Sequence, residues 1–65
     1  MMNFQINNRV RIETNFYGKY HGKMGTVIGL NCVNEMIKVK FDEAVNVNGV
    51  LFENDIFCLY ELKPI

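Results

Sequence analysis

Polar and apolar positions alternate in short runs along this chain. In "NRVRIE", Val10 and Ile12 take one side while Arg9, Arg11 and Glu13 take the other, the period-two pattern of a half-buried strand. "GTVIGL" predicts a second strand, with Val27 inward and a glycine near each end. "EMIKVKF" is the clearest strand, with Ile37, Val39 and Phe41 inward and Lys38 and Lys40 outward. "DEAVNVN" reads as a loop leading to Gly49, and "GVLFEN" as a fourth strand. Asn54 and Asp55 suit the start of a single helical turn, because their side chains accept backbone donors there. "IFCLYELKPI" reads either as one strand or as a short turn followed by a last strand through Leu62. Pro64 lacks an N–H, so pairing is expected to end there or to lie on an edge.

No run sustains a helical period, and no internal repeat or linker is visible. The 65 residues make one domain, spanning the whole chain. A chain this short buries only ~60% of its unfolded surface and needs an efficient core. Its apolar content of 49% supplies one, and Val, Ile, Phe and Leu dominate it, which favours strands over helices. Five short strands with one long first loop, over residues 14–24, describe an all-β fold: a small closed barrel with at most one short helical turn. Closure removes the unpaired edges that a small sheet would otherwise expose.

Nine asparagines are expected to mark turns, since Asn tolerates left-handed geometry. Asn, Ile, Lys and Phe also share AT-rich codons, which points to an AT-rich genome such as that of a low-GC bacterium, its phage or a mobile element. The zero net charge hides an asymmetry. Residues 1–34 carry four basic groups against Glu13 alone, while residues 35–65 carry three against six acids. A neutral domain of this kind can still bind an anion through one face.

The chemistry-bearing residues cluster in "NFYGKYHGKMG", residues 15–25. Phe16, Tyr17, Tyr20 and His21 interleave with Lys19 and Lys23. Aromatic faces stack on unpaired bases and lysines neutralise phosphates, so this loop is a candidate nucleic-acid surface. The competing reading folds Phe16 and Tyr20 over the end of the barrel as core. Arg9, Arg11, Lys38 and Lys40 point outward from strands and would extend a basic face if closure brings them together. Catalysis is not expected: serine is absent, His21 sits on a glycine-flanked loop, and Cys32 and Cys58 lie in or beside apolar strands. No C-x-x-C or H-x-x-x-H spacing suggests a metal, and no cofactor is implied. Two cysteines, no signal segment and no apolar run near ~20 residues predict a cytoplasmic protein with free thiols and no membrane segment.

The stretch "NRVRIETNFYGKYHGKMGTVIGL…MIKVKF" resembles the KOW-type SH3-like barrel, found in ribosomal proteins, transcription elongation factors and small phage proteins. Gly22-Lys23-Met24-Gly25-Thr26-Val27 matches the Gly-x-x-Gly-x-Val centre of that pattern, with Val10 and Ile12 before it and Ile37, Val39 and Phe41 after it. "LYELKPI" is similar to the turn and last strand of many SH3-like domains. The resemblance implies a small non-enzymatic binding module, monomeric on its own. Nucleic-acid binding through Arg9, Arg11, Tyr17, Lys19, Tyr20, His21, Lys23, Lys38 and Lys40 ranks slightly ahead. The alternatives are a module that docks on a host or partner protein, such as a phage or mobile-element product, and a small structural subunit of a larger assembly. The net charge departs from the basic character of many nucleic-acid-binding members.

Overall fold

The computed structural model describes residues 4–15, 18–31 and 33–65. Alternating burial builds the strands where the alternating sequence places them: β1 Arg9–Ile12, β2 Met24–Asn31 and β3 Met36–Val47. β4 Val50–Cys58 follows, then a single 3-10 turn, Leu59–Glu61, and β5 Leu62–Pro64. All five strands join one antiparallel sheet in the order β4-β3-β2-β1-β5. Pro64 pairs opposite Val10 in an edge strand, where its missing N–H costs no ladder bond.

Two segments differ from the sequence expectation. Residues 42–47 are not a loop but the end of β3, which turns back through Asn48 and Gly49 into β4. Both turn residues have positive φ, 53° and 86°, the geometry of the two-residue turn that matches strand twist. The Asn46 side chain braces the turn by accepting the Gly49 N–H at 2.9 Å. Nor do Asn54 and Asp55 start a helix. β4 runs straight through them, and Asp55 Oδ1 accepts the N–H of Ile56 at 2.8 Å within the strand. The helical turn comes later, as the turn-then-strand reading of the last ten residues had it.

Every buried strand side chain lies on one face of this single sheet. Val10 and Ile12 of β1, Val27 of β2, Ile37, Val39, Phe41 and Val45 of β3, Phe57 of β4 and Leu62 of β5 form the core, joined by Phe4 and Tyr20 from outside the strands. No second layer of secondary structure covers that face among the described residues, and β4 and β5 remain the two edges of the sheet, which is not closed. Two irregularities mark its ladders. The β2–β3 register shifts between Val27 and Gly29, and the β3–β4 register shifts between Lys40 and Val45. Such bulges increase local twist and bend a strand. Gly25, buried opposite both Val10 and Phe41, lets the β3 backbone approach more closely than a side chain would permit.

Glu61 locks the far end. Its Oε1 accepts the Cys58 N–H at 3.0 Å, its Oε2 accepts the buried Thr14 hydroxyl, and its carbonyl accepts the Glu13 N–H at 2.7 Å. One residue thereby fixes the 3-10 turn, the end of β4 and the start of the first loop. No helix of the described residues is long and apolar enough to cross a membrane.

Candidate nucleic-acid interface

The sheet register decides which basic side chains share a face. Arg9 pairs with Thr26, Thr26 with Lys40 and Lys40 with Asn54, forming one row across four strands. Along the next rows Arg11 stands between Met24 and Lys63, and Lys38 between Gly29 and Ile56. Val10, Ile12, Ile37 and Val39 point into the core, so their strand neighbours Arg9, Arg11, Lys38 and Lys40 all point out. The outer face thus gathers Arg9, Arg11, Lys38 and Lys40, together with Lys63, which the sequence reading had not included.

Two of these charges are already engaged. Arg9 forms a bidentate pair with Asp42, at 2.5 and 2.6 Å, and also donates to Thr26 Oγ1 at 2.9 Å. Arg11 holds Glu13 through Nε at 3.0 Å and Nη2 at 2.7 Å. Both pairs are solvent-exposed, so they orient side chains more than they stabilise the fold. Lys38 and Lys40 have no carboxylate partner among the described residues, and Lys63, though in neither ion pair, adds its charge to the attraction on Glu13; these three stand outside the two pairs.

The guanidinium hydrogen bonds shift the titration of both acids. Arg9 holds the Asp42 carboxyl below its ordinary range, chiefly through the hydrogen bonds, with direct charge attraction adding to them. Arg11 does the same for Glu13. A carboxyl with a depressed folded-state pKa contributes stability above its unfolded value, ~3.9 for Asp and ~4.3 for Glu, and loses it as pH falls through the lower folded value. The Asp42 and Glu13 side-chain carboxyl resonances are therefore expected to titrate below those values, and Arg9→Ala should return Asp42 alone toward ~3.9. An Asp42 midpoint unaffected by Arg9→Ala would show that the pair does not persist in solution.

The first loop is built differently from a stacking platform. Gly22, at φ 83°, donates to the Ile12 carbonyl at 2.7 Å, and Ile12 donates to Lys23 at 2.8 Å, which closes the loop at its base. Tyr20 is only 4% exposed. Its ring lies 4.9 Å from Phe41 and 5.5 Å from Phe57, the latter edge-on. A ring clamped there cannot present a face to a base, so Tyr20 belongs to the core and not to a binding surface. Lys19, His21 and Lys23 are exposed. The two lysines look onto acids, however. Lys19 shares a cleft of about 370 Å³ with Asp55, Tyr20 and Phe52, and Lys23 shares one with Asp42 and Glu43. Tyr17, with Phe16, lies outside the described residues.

The remaining chemistry-bearing groups do not converge. Among the described residues no three His, Cys, Asp or Glu side chains are grouped to hold a metal. The Cys58 thiol is pushed up by burial and by the adjacent Glu61 carboxylate, which keeps it protonated. Cys32 lies outside the described residues. Lys63 was legible only through register: it precedes Pro64 in a short strand whose partner the chain pattern does not name. No family model, curated protein or solved structure matches this chain.

Proposed function

We propose that this chain is a small non-enzymatic module that binds the nucleic-acid backbone through the outer face of β1, β2, β3 and β5, on a five-stranded SH3-like barrel of the KOW type. The barrel reading is supported by a single sheet whose one face supplies the whole strand core, and by the 3-10 turn before a last strand that pairs with the first. One observation carries the functional reading: the register sets Arg9, Arg11, Lys38, Lys40 and Lys63 on one face with only Asp42 and Glu13 paired among them. Phosphate contacts lead this reading, because Tyr20 of the first loop is spent on the core and His21 alone of the loop's described rings is exposed. A protein-docking role is the second reading, favoured by the exposed Val50, Leu51 and Phe52 at the tip of the β3–β4 hairpin.

With Lys38, Lys40 and Lys63 as the charges outside the two ion pairs, duplex binding should show a log–log salt slope of about −3, at ~0.9 per neutralised phosphate. Fluorescence anisotropy with a labelled duplex and a single strand across a salt series measures it. Lys38→Ala with Lys40→Ala should weaken binding for all sequences alike and flatten the slope by about two. Lys19→Ala with Lys23→Ala should leave it unchanged. A Lys38/Lys40 double variant with undiminished affinity and slope refutes the outer-face reading. Loss of binding in the loop variant instead moves the site to residues 18–23.

A further inference from the structure

We infer that the cleft over Gly29, on the outer face of β2, β3 and β4, receives an unpaired guanine of a bound strand, with the Nδ2 groups of Asn31 and Asn34 on its O6/N7 edge and Lys38 beside its phosphate. The inference rests on the nucleic-acid reading and deepens it, from phosphate contact to the choice of a base.

The register builds the cleft. Gly29 stands opposite Lys38, and Lys38 opposite Ile56. Two positions along, on the same face, Asn31 stands opposite Met36. A Cβ at Gly29 would lie 3.3 Å from the Lys38 Cβ and 4.0 Å from its Cδ, so the glycine leaves the lysine stem room to lie across β2. The resulting cleft measures about 410 Å³, within the ~300–1,000 Å³ range of small-molecule sites. Leu30, Met36 and Ile56 line it with apolar surface, which suits the flat face of a base.

The polar side chains of the cleft are donors. Lys38 stands in neither ion pair, and no carboxylate lines the cleft. Lys19 and Lys23, by contrast, line clefts that also hold acids. Glu35, next in sequence to Asn34, lines an adjoining cleft with Cys58 and Tyr60. Asn31 Oδ1 accepts the Val33 N–H at 3.0 Å, and Asn34 Oδ1 accepts the Met36 N–H at 3.3 Å. What each amide has left to offer a ligand is its Nδ2 hydrogens.

That inventory selects the base. An asparagine with both amide ends free reads adenine, accepting from N6 and donating to N7. Here the accepting ends are engaged, so the N6 donor of adenine would face donors. Guanine presents two adjacent acceptors, O6 and N7, to the same two groups. Its phosphate brings the negative charge that this cleft does not contain and that Lys38 attracts.

The test titrates the intact protein with GMP, IMP and AMP and follows the backbone amide resonances. GMP should shift the amides of residues 29–31, 34, 36, 38 and 56. It should bind at least about fivefold more tightly than AMP, the lower end of what a two-point base contact contributes. IMP keeps O6 and N7 and loses only the 2-amino group, so it should match GMP. Guanosine, without the phosphate, should bind more weakly than GMP. In Asn31→Ser with Asn34→Ser the hydroxyls still accept backbone N–H groups while the amide donors are gone. GMP should then fall to the level of AMP, and the duplex salt slope should stay, since no charge is removed. One central guanine in a short adenine strand should strengthen binding by the factor that separates GMP from AMP. Equal binding of GMP and AMP, a preference that survives the serine changes, or shifts centred elsewhere overturn the inference, and they do so whether or not the outer face binds a duplex. A strand indifferent to its central guanine, with GMP still ahead of AMP, makes the free nucleotide the ligand and overturns the assignment to a strand.

Discussion

Gly25→Ala should remove a large part of the domain's stability and lower its urea midpoint steeply. A Cβ at Gly25 would stand 2.3 Å from the Lys40 carbonyl oxygen and 2.7 Å from Val39 Cγ1. The first of these is backbone of the neighbouring strand, which cannot swing aside as a side-chain tip can. Gly25 does not have positive φ, so the demand is for space and not for a left-handed conformation. Overpacking a well-filled interior costs ~1–3 kcal/mol, and a clash against backbone belongs at or above the upper end. At ~0.05–0.15 kcal/mol per residue, a domain of this size has only ~3–10 kcal/mol in total. Urea denaturation followed by far-UV circular dichroism checks it. Gly29→Ala is the control. There a Cβ would meet only the Lys38 side chain, its Cβ at 3.3 Å and Cδ at 4.0 Å, and the midpoint should move less than for Gly25→Ala. If Gly25→Ala unfolds at the parent's urea concentration, the close approach of β2 and β3 does not constrain position 25.

Phe57→Ala is expected to be equally damaging for the opposite reason. Phe57 is 1% exposed and meets Tyr20 at 5.5 Å and Phe41 at 6.0 Å, both nearly edge-on. Removing the ring opens a cavity where β3, β4 and the first loop meet, and Phe-to-Ala changes at such sites cost ~3–5 kcal/mol. Tyr20 would lose the wall that holds it, so the loop should loosen with the core. Phe57→Leu keeps most of the volume and should cost less than half as much. Equal midpoints for the alanine and leucine variants would mean that filled volume is not what Phe57 contributes to the core.

The parts of the fold that could be read from the chain are those that depend on alternation. Ile37, Val39 and Phe41 face inward because a strand has period two, and no tertiary information was needed to see it. The β3–β4 hairpin carries a sequence signal too, one that the polar run before it masks. Asn48-Gly49 between valines is a strong two-residue turn signature, but the polar run before it reads as loop when taken alone. At Asn54 and Asp55 the chemistry was right and the context wrong: Asp55 does accept a backbone donor, within a strand. The candidate site was less accessible. Asp42 lies 33 positions from Arg9, and only the β1–β2–β3 register brings them together. Which loop ring enters the core depends on the gap left between Phe41 and Phe57, which the pattern of the loop does not encode. Composition suggested a basic first half and an acidic second half. The structure redistributes those charges by face, with Lys38, Lys40 and Lys63 of the second half completing a surface begun by Arg9 and Arg11.

The β1–β5 pairing sets the order in which the molecule can assemble. β3 and β4 are joined by two residues, so their ladder forms by local closure, on the microsecond scale of isolated hairpins. Ile12 meets Leu62 only after a loop of about fifty residues has been closed, and that entropy must be spent before the pairing returns any of it. The hairpin should therefore be native-like in the folding transition state while the β1–β5 ladder and the Glu61 lock form on the downhill side. Substitutions at the Asn48-Gly49 turn will then slow folding, and substitutions at Leu62 or Glu61 will mainly hasten unfolding.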